Sequence, residues 1–186
     1  MIQTSLDKIT QVLRGQLTAF DAGDIVAMGA VIDTRAIEQD CLFFALKGAH
    51  TDGHAFLAQA KQSGASAAVV ERYMENAELP QIVVANVRQA LGQLAAWWRT
   101  QINAKVIAIT GSNGKTTVKE MLLAICLQSG DAIATQGNFN NDLGMPLSLL
   151  RIGLKHNFAV LEMGANHFGE IEDMTHIVRP HVALVN

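Results

Sequence analysis

Apolar positions recur along this chain with two different periods, and the periods predict its elements. Over residues 5–14, Leu6, Ile9, Val12 and Leu13 return at three- and four-residue spacing and share one face of a helix. Ser5 can cap its start and Gly15 can end it. Leu42-Phe43-Phe44-Ala45-Leu46 is a short apolar run between turn formers, which predicts a buried strand. Residues 54–62 read as a helix, and 67–70 and 82–85 as strands. A longer helix is expected over 86–101. Asn86 would cap it, with Gln89 three residues on, and Leu91, Leu94, Ala95 and Trp98 form its apolar face. The first domain is expected to be 1–85, the second 86–186.

The second half has a clearer rhythm. An apolar strand over 105–110 leads into a helix over 115–128, with Val118, Met121, Leu122 and Ile125 on one face and Gly130 beyond its end. A strand over 131–135, a helix over 146–150 opened by Pro146, a strand over 158–163, a helix over 170–178 and a strand over 182–185 follow. Strand–helix alternation implies a parallel sheet with helices on its faces. The expected fold is therefore α/β, a small N-terminal α/β domain followed by part of a parallel-sheet P-loop ATPase domain. Ligands gather at the carboxyl ends of such strands, which singles out the loops after Thr110, Thr135, Met163 and Val185. The strand pattern stops at that edge, so the second domain is expected to be incomplete and the chain to be part of a longer one.

Composition narrows the class. Apolar residues make up 49% and charged residues 17%, enough for a packed core. The net charge of −3 comes with no basic stripe, so nucleic acid is not an expected partner. Cys41 and Cys126 stand alone in the two halves, which makes no disulfide framework or zinc pattern and fits a reducing cytoplasm. The N-terminus lacks a basic segment followed by an apolar run, and no stretch reaches the roughly 18 apolar residues of a membrane span, so neither a signal peptide nor membrane insertion is expected.

Ile107-Ala108-Ile109-Thr110 runs directly into Gly111-Ser112-Asn113-Gly114-Lys115-Thr116-Thr117. Glycines let a backbone turn tightly and aim several N–H groups at one point, and the following helix adds its own N–H groups and dipole. Lys115 brings charge to β- and γ-phosphates and Thr116 a hydroxyl for Mg²⁺, so ATP and Mg²⁺ are the expected ligands. Ile109 occupies the first glycine position of the full Walker pattern, so the match is incomplete; the plainer alternative is a Gly-Lys-Thr helix start without a ligand. Glu162 ends the apolar run Ala159-Val160-Leu161-Glu162-Met163. At a carboxyl strand end it can hold Mg²⁺; otherwise it is a surface glutamate. Asn138, Asn140 and Asn141 lie in a loop of ordinary turn residues whose position at the same edge raises their interest. His167 can contact substrate or phosphate, or cap the helix after it. His50, His54, His156, His176 and His181 show no metal-ligand spacing and read mostly as surface residues.

Together these residues resemble the Mur ligases, the ATP-dependent amide ligases of peptidoglycan synthesis. Three segments carry the resemblance: residues 110–117, with the family's missing first glycine, the asparagine loop 137–146, and 161–171. In the N-terminal part, Asp33-Thr34-Arg35, the run from Asp40 to Gly48 and Asp52-Gly53-His54 are similar to the domain that holds the UDP end of the substrate. The resemblance implies the branch that joins D-Ala-D-Ala to UDP-MurNAc-tripeptide through an acyl phosphate, in a monomeric cytoplasmic bacterial enzyme. It implies catalytic roles for Lys115 and Glu162, nucleotide binding by residues 111–117, and Mg²⁺ at Thr116 and Glu162. Substrate contacts fall to Thr34, Arg35, Lys47, Gly48, Asn138, Asn140, Asn141 and His167. The family also has a C-terminal Rossmann-like domain, expected to be absent here, so the chain alone is expected to lack ligase activity. A folylpolyglutamate synthase-like ligase and a nucleotide-binding module without catalysis are the alternatives. A GTPase or kinase lacks support, because no switch of the D-x-x-G type or guanine-reading N-K-x-D occurs.

Overall fold

A computed structural model describes residues 1–48 and 51–186. It divides into two compact units, Met1–Leu94 and Ala95–Asn186, and the division falls inside the helix Val87–Gln101.

The first unit contains β1 (Gln3–Ser5), α1 (Leu6–Leu13), β2 (Gln16–Leu17), β3 (Val26–Met28), β4 (Ala30–Val31), β5 (Leu42–Phe44), α2 (Leu57–Gln62), β6 (Ala67–Val70), β7 (Gln81–Val83) and most of α3 (Val87–Gln101). The main sheet runs in the order β2-β7-β6-β5-β4; β4 to β7 are parallel and β2 joins antiparallel. β1 and β3 form a separate antiparallel pair. Every residue of β5 and β6 is buried, as in strands covered on both faces. Phe43, Leu57, Ala60 and Val70 are part of the core between sheet and helix.

Ser5 caps α1 by accepting the Lys8 N–H at 3.3 Å. The residue that ends α1 in the left-handed region is Arg14, at φ 51°, and not Gly15. Gly15 serves packing instead. A Cβ there would lie 2.8 Å from both the Ile82 side chain and the Val83 carbonyl of β7. Asn86 accepts the Gln89 N–H at 2.9 Å and so starts α3 as expected. Leu91, Leu94, Ala95 and Trp98 are all buried.

The second unit contains β8 (Lys105–Thr110), α4 (Lys115–Leu127), β9 (Ala132–Ala134), α5 (Gly144–Leu150), β10 (Phe158–Glu162), α6 (Glu170–Val178) and β11 (Val182–Val185). The four strands are all parallel, in the order β11-β8-β10-β9. Placing β8 beside β10 brings the glycine-rich loop next to the end of β10. All of α5 is buried, including Pro146 in its first turn.

α4 departs from the expected pattern. Val118 and Leu122 pack against Ile109, Cys126 and Val160, but Met121 and Ile125 are 61% and 62% exposed. The buried stripe is turned toward Lys119 and Cys126 instead. A lysine can occupy it because its amine finds a carbonyl at the sheet's end, which apolar periodicity does not reveal. Both cysteines are buried and unbridged. Among the described residues, no helix is long and apolar enough to cross a membrane.

Candidate nucleotide site

The site is built where β8, β9 and β10 end. Gly111 leaves β8 at φ +138° and Gly114 precedes α4 at φ +74°, backbone that a side chain resists, so the loop turns and delivers Lys115 as the first residue of α4. Lys115 reaches back over the loop, its Nζ donating to the Gly111 carbonyl at 2.8 Å. Ser112, Asn113, Gly114, Thr116 and Thr117 are exposed along the loop and the first turn of α4.

Glu162 is the last residue of β10 and is 4% exposed, so it is not a surface glutamate. A carboxylate buried to that degree needs partners. Thr116 donates its hydroxyl to Oε2 at 3.0 Å, and the Asn140 side-chain amide donates to Oε1 at 3.1 Å. Two side chains, one from the first turn of α4 and one from the asparagine loop, thus converge on one carboxylate beside the phosphate-type loop. The backbone N–H of Glu162 donates to Thr135 Oγ1 at 3.0 Å.

The remaining sequence candidates divide. The Asn141 side-chain oxygen accepts the Gly144 N–H at 2.8 Å and starts α5. Asn138 is exposed, with its carbonyl accepting the Asn140 N–H. His167 is exposed and does not cap α6, whose N-cap Gly169 carries no side-chain cap; Glu170 Oε2 instead accepts the N–H groups of Asn166 and His167, in the loop before the helix, at 2.8 and 3.2 Å. Those two donors hold the Glu170 carboxyl below its ordinary value.

In the first unit, half-buried Thr34 and exposed Arg35 lie in a short turn over Thr34–Ala36. Arg35 grips Asp33 through Nε and a terminal nitrogen at 3.0 and 2.6 Å, which lowers the Asp33 carboxyl to about 2. Lys47 and Gly48 are exposed, and Lys47 pairs with Asp52 in an isolated antiparallel bridge. His54 corrects the surface reading. Its side chain is 0% exposed, Nδ1 lies 2.6 Å from Asp52, and Nε2 accepts the Glu71 N–H at 3.0 Å. Asp52 also receives Arg72 at 2.8 Å, and that bond together with the His54 contacts holds its carboxyl far below the ordinary range. His50 lies outside the described residues.

Two residues at the site were not among the candidates named from the sequence. Asn186, the residue after β11, donates its side-chain amide to the Asn113 carbonyl at 2.6 Å and accepts the Ser112 N–H at 3.1 Å. Lys119 is 3% exposed and donates to the Thr135 carbonyl at 2.9 Å.

Among the described residues, no group of three or more His, Cys, Asp or Glu side chains stands ready to hold a metal alone. One carboxylate oxygen and one hydroxyl suit Mg²⁺, which keeps several waters and completes its shell with phosphate oxygens. Thr116 and Glu162 therefore fit that ion, provided a phosphate ligand is also present.

An α/β protein with a glycine-rich loop at the carboxyl edge of a parallel sheet, and a buried carboxylate beside it, belongs to the broad class of P-loop folds. Comparison with known proteins is more specific. Residues 109–186 match the Mur ligase middle domain and 28–99 the Mur ligase family catalytic domain. The chain belongs to the Mur ligase family. It is 47% identical, over all its 186 residues, to the UDP-N-acetylmuramoyl-tripeptide–D-alanyl-D-alanine ligase of Escherichia coli (strain K12), of which it covers 40%. It superposes at TM-score 0.91 and 42% identity on the UDP-N-acetylmuramoylalanyl-D-glutamyl-2,6-diaminopimelate–D-alanyl-D-alanyl ligase of Acinetobacter baumannii, covering 100% of this chain and 42% of that one. The MurF ligase of Thermotoga maritima, solved in complex with ADP, matches 86% of this chain and 38% of its own at TM-score 0.73 and 32% identity. The chain thus spans about two-fifths of the length of the relatives it matches.

Proposed function

We propose that this chain carries the nucleotide site and the UDP-substrate unit of an ATP-dependent ligase that joins D-Ala-D-Ala to UDP-MurNAc-tripeptide in peptidoglycan synthesis. The observation that carries the reading is the convergence of Thr116 and Asn140 on buried Glu162 beside the loop 111–117. The relatives named for this reaction, and the neighbour that binds ADP, support it. Residues 1–85 are assigned to the UDP end of the substrate and 86–186 to ATP.

The chemistry follows from what a carboxylate lacks. It is a poor acyl donor, so an oxygen of the tripeptide carboxylate attacks the γ-phosphorus of ATP, the bridging P–O bond breaks, and ADP leaves. The amine of D-Ala-D-Ala then attacks the acyl phosphate carbon, phosphate departs, and the amine proton is lost. Protein catalysis of such steps is mainly positioning and charge stabilisation. Lys115 is assigned to the γ-phosphate and to the charge that grows on it. Thr116 and Glu162 would hold Mg²⁺, which when bound offsets phosphate charge. Asn138, Asn140, Asn141 and His167 are assigned to orienting the reacting groups. Thr34, Arg35, Lys47 and Gly48 are assigned to the UDP-sugar.

Titration calorimetry tests this reading directly. Mg²⁺-ATP and UDP-MurNAc-tripeptide should each bind the chain, and folate should not. Binding of folate in place of the UDP-sugar peptide would move the assignment to a folylpolyglutamate-type ligase, and absence of both ATP and UDP-sugar binding would refute it.

A further inference from the structure

The end of β9 breaks the sheet's hydrogen-bond pattern in a way that bears on Glu162. β9 and β10 pair in parallel through Ala132–Phe158, Ile133–Ala159 and Ala134–Val160. The Thr135 N–H continues the ladder to the Val160 carbonyl at 3.1 Å. A parallel ladder would next send the Glu162 N–H to the Thr135 carbonyl. It goes to the Thr135 hydroxyl instead, at 3.0 Å. The carbonyl it would have used is turned to Lys119 Nζ, at 2.9 Å. Thr135 and Lys119 are 2% and 3% exposed, so neither bond is a surface accident. Lys119 keeps one charged partner, Glu120 at 3.0 Å, whose side chain is 61% exposed.

The swap has two consequences. The Thr135 hydroxyl takes the ladder position and fixes the backbone of Glu162 at its last residue in the strand. Its carbonyl, held by Lys119, turns the chain out of the sheet toward the asparagine loop, from which Asn140 returns to Glu162 Oε1 at 3.1 Å. Lys119 lies one helical turn beyond Lys115, so one helix supplies the loop lysine, the Thr116 hydroxyl and this anchor.

We infer that Lys119 and Thr135 are positioning residues for the Mg²⁺–phosphate site, setting the Glu162 carboxylate and its Asn140 partner without touching the nucleotide. The inference rests on the nucleotide reading above. Groups that orient a metal ligand typically cost about 10–100-fold in metal affinity when removed.

The experiment measures ATP binding to the chain across a Mg²⁺ series, and without Mg²⁺, for the unaltered protein and for Thr135→Val, Thr135→Ser and Lys119→Met. Thr135→Val keeps the volume and loses the hydroxyl; it should raise the Mg²⁺ concentration for half-maximal binding about tenfold or more. Thr135→Ser should restore it to within about twofold, and ATP affinity without Mg²⁺ should stay within about twofold for all variants. Lys119→Met should act in the same direction as Thr135→Val. Should burial of a neutral chain at 119 prevent folding, the threonine pair alone decides. A lowered melting temperature in Thr135→Val with an unchanged Mg²⁺ requirement would show a purely structural role and overturn the inference alone. Mg²⁺-independent binding, or none, in the unaltered chain would overturn the nucleotide reading and this inference with it.

Discussion

Replacing Lys115 by methionine removes a charged side chain that bends over the loop 111–117, and the structure sets the size of the effect on both stability and binding. Lys115 donates to the Gly111 carbonyl at 2.8 Å from a half-buried position. A charge-assisted bond of that kind contributes about 1.5 kcal/mol at the low end of its range, and less where water competes. Against it stands the position of Lys115 as the first residue of α4, where a cation opposes the helix dipole by about 0.3–1 kcal/mol. The two effects largely offset, so folding stability should change by less than about 1 kcal/mol, or roughly 4–8 °C in melting temperature at most for a unit of this size. Nucleotide binding has no such offset. Losing a charged donor to the β- and γ-phosphates costs about 1.5–3 kcal/mol, which is about 10–150-fold in affinity. Fluorescence titration with a labelled adenine nucleotide, run beside a thermal melt, separates the two quantities. ATP affinity within threefold of the unaltered chain would refute the assignment of Lys115, whatever the melt shows.

Other expected outcomes follow from single contacts. Gly111→Ala should abolish nucleotide binding, because a Cβ there would sit 1.7 Å from the Asn186 carbonyl oxygen in backbone at φ +138°, and the loop must move to admit it; retained affinity would show that the loop tolerates that shift. Trp98→Phe should lower unfolding free energy in denaturant by about 2–4 kcal/mol, since it strands the Ile152 carbonyl that Trp98 Nε1 now satisfies at 2.7 Å in the core; a change below about 1 kcal/mol would argue against that bond. Lowering the pH should destabilise the second unit in the range below about 6.5, the ordinary histidine value. Burial lowers both His156 and His181, and Arg99 and Lys105 lower His181 further. Each Nδ1 accepts a backbone N–H, from Gly153 at 2.8 Å and from Val106 at 2.9 Å, which a protonated ring could not do. The unfolded chain then binds more protons, so stability rises with pH through that window and is fully present above it. His156→Asn should flatten the drop; an unchanged drop would remove His156 as its source.

Elements with a strong period were legible in the sequence. Leu91, Leu94, Ala95 and Trp98 mark the buried side of α3, and the apolar runs of β8 and β10 became adjacent parallel strands. The short strands β1 to β4 escaped notice because two or three residues carry too little pattern, and at β3 the flanking Val26 and Met28 are exposed. His54 looked like a surface histidine because sequence shows polarity and not partners; Asp52 and the Glu71 N–H are what allow its burial. At the site, Glu162 was visible as a carboxylate misplaced in an apolar run. Asn140 was visible only as one of several asparagines, and the structure separates it from Asn141, whose side-chain oxygen starts α5. Lys119 gave no signal at all, since a lysine at helical spacing reads as solvated until a carbonyl is found beside it.

That contrast has a physical cause. Glu162 and Lys119 are both charged and nearly fully buried, and the second unit would lose less to desolvation with apolar residues in their places. Both are placed at the carboxyl ends of the strands, where the ladder stops and backbone groups become available as partners. Each needs one: Thr116 and Asn140 for the carboxylate, the Thr135 carbonyl for the amine. Thr135 serves both, its hydroxyl holding the Glu162 backbone while its carbonyl holds Lys119. The burial of either charge therefore depends on the same departure of the chain from the sheet. A change that restored the regular ladder at Thr135 would deprive Lys119 of its acceptor and release the asparagine loop from the turn that brings Asn140 to Glu162. At this edge of the sheet the conflict between burial and charge stands where a ligand can repay it.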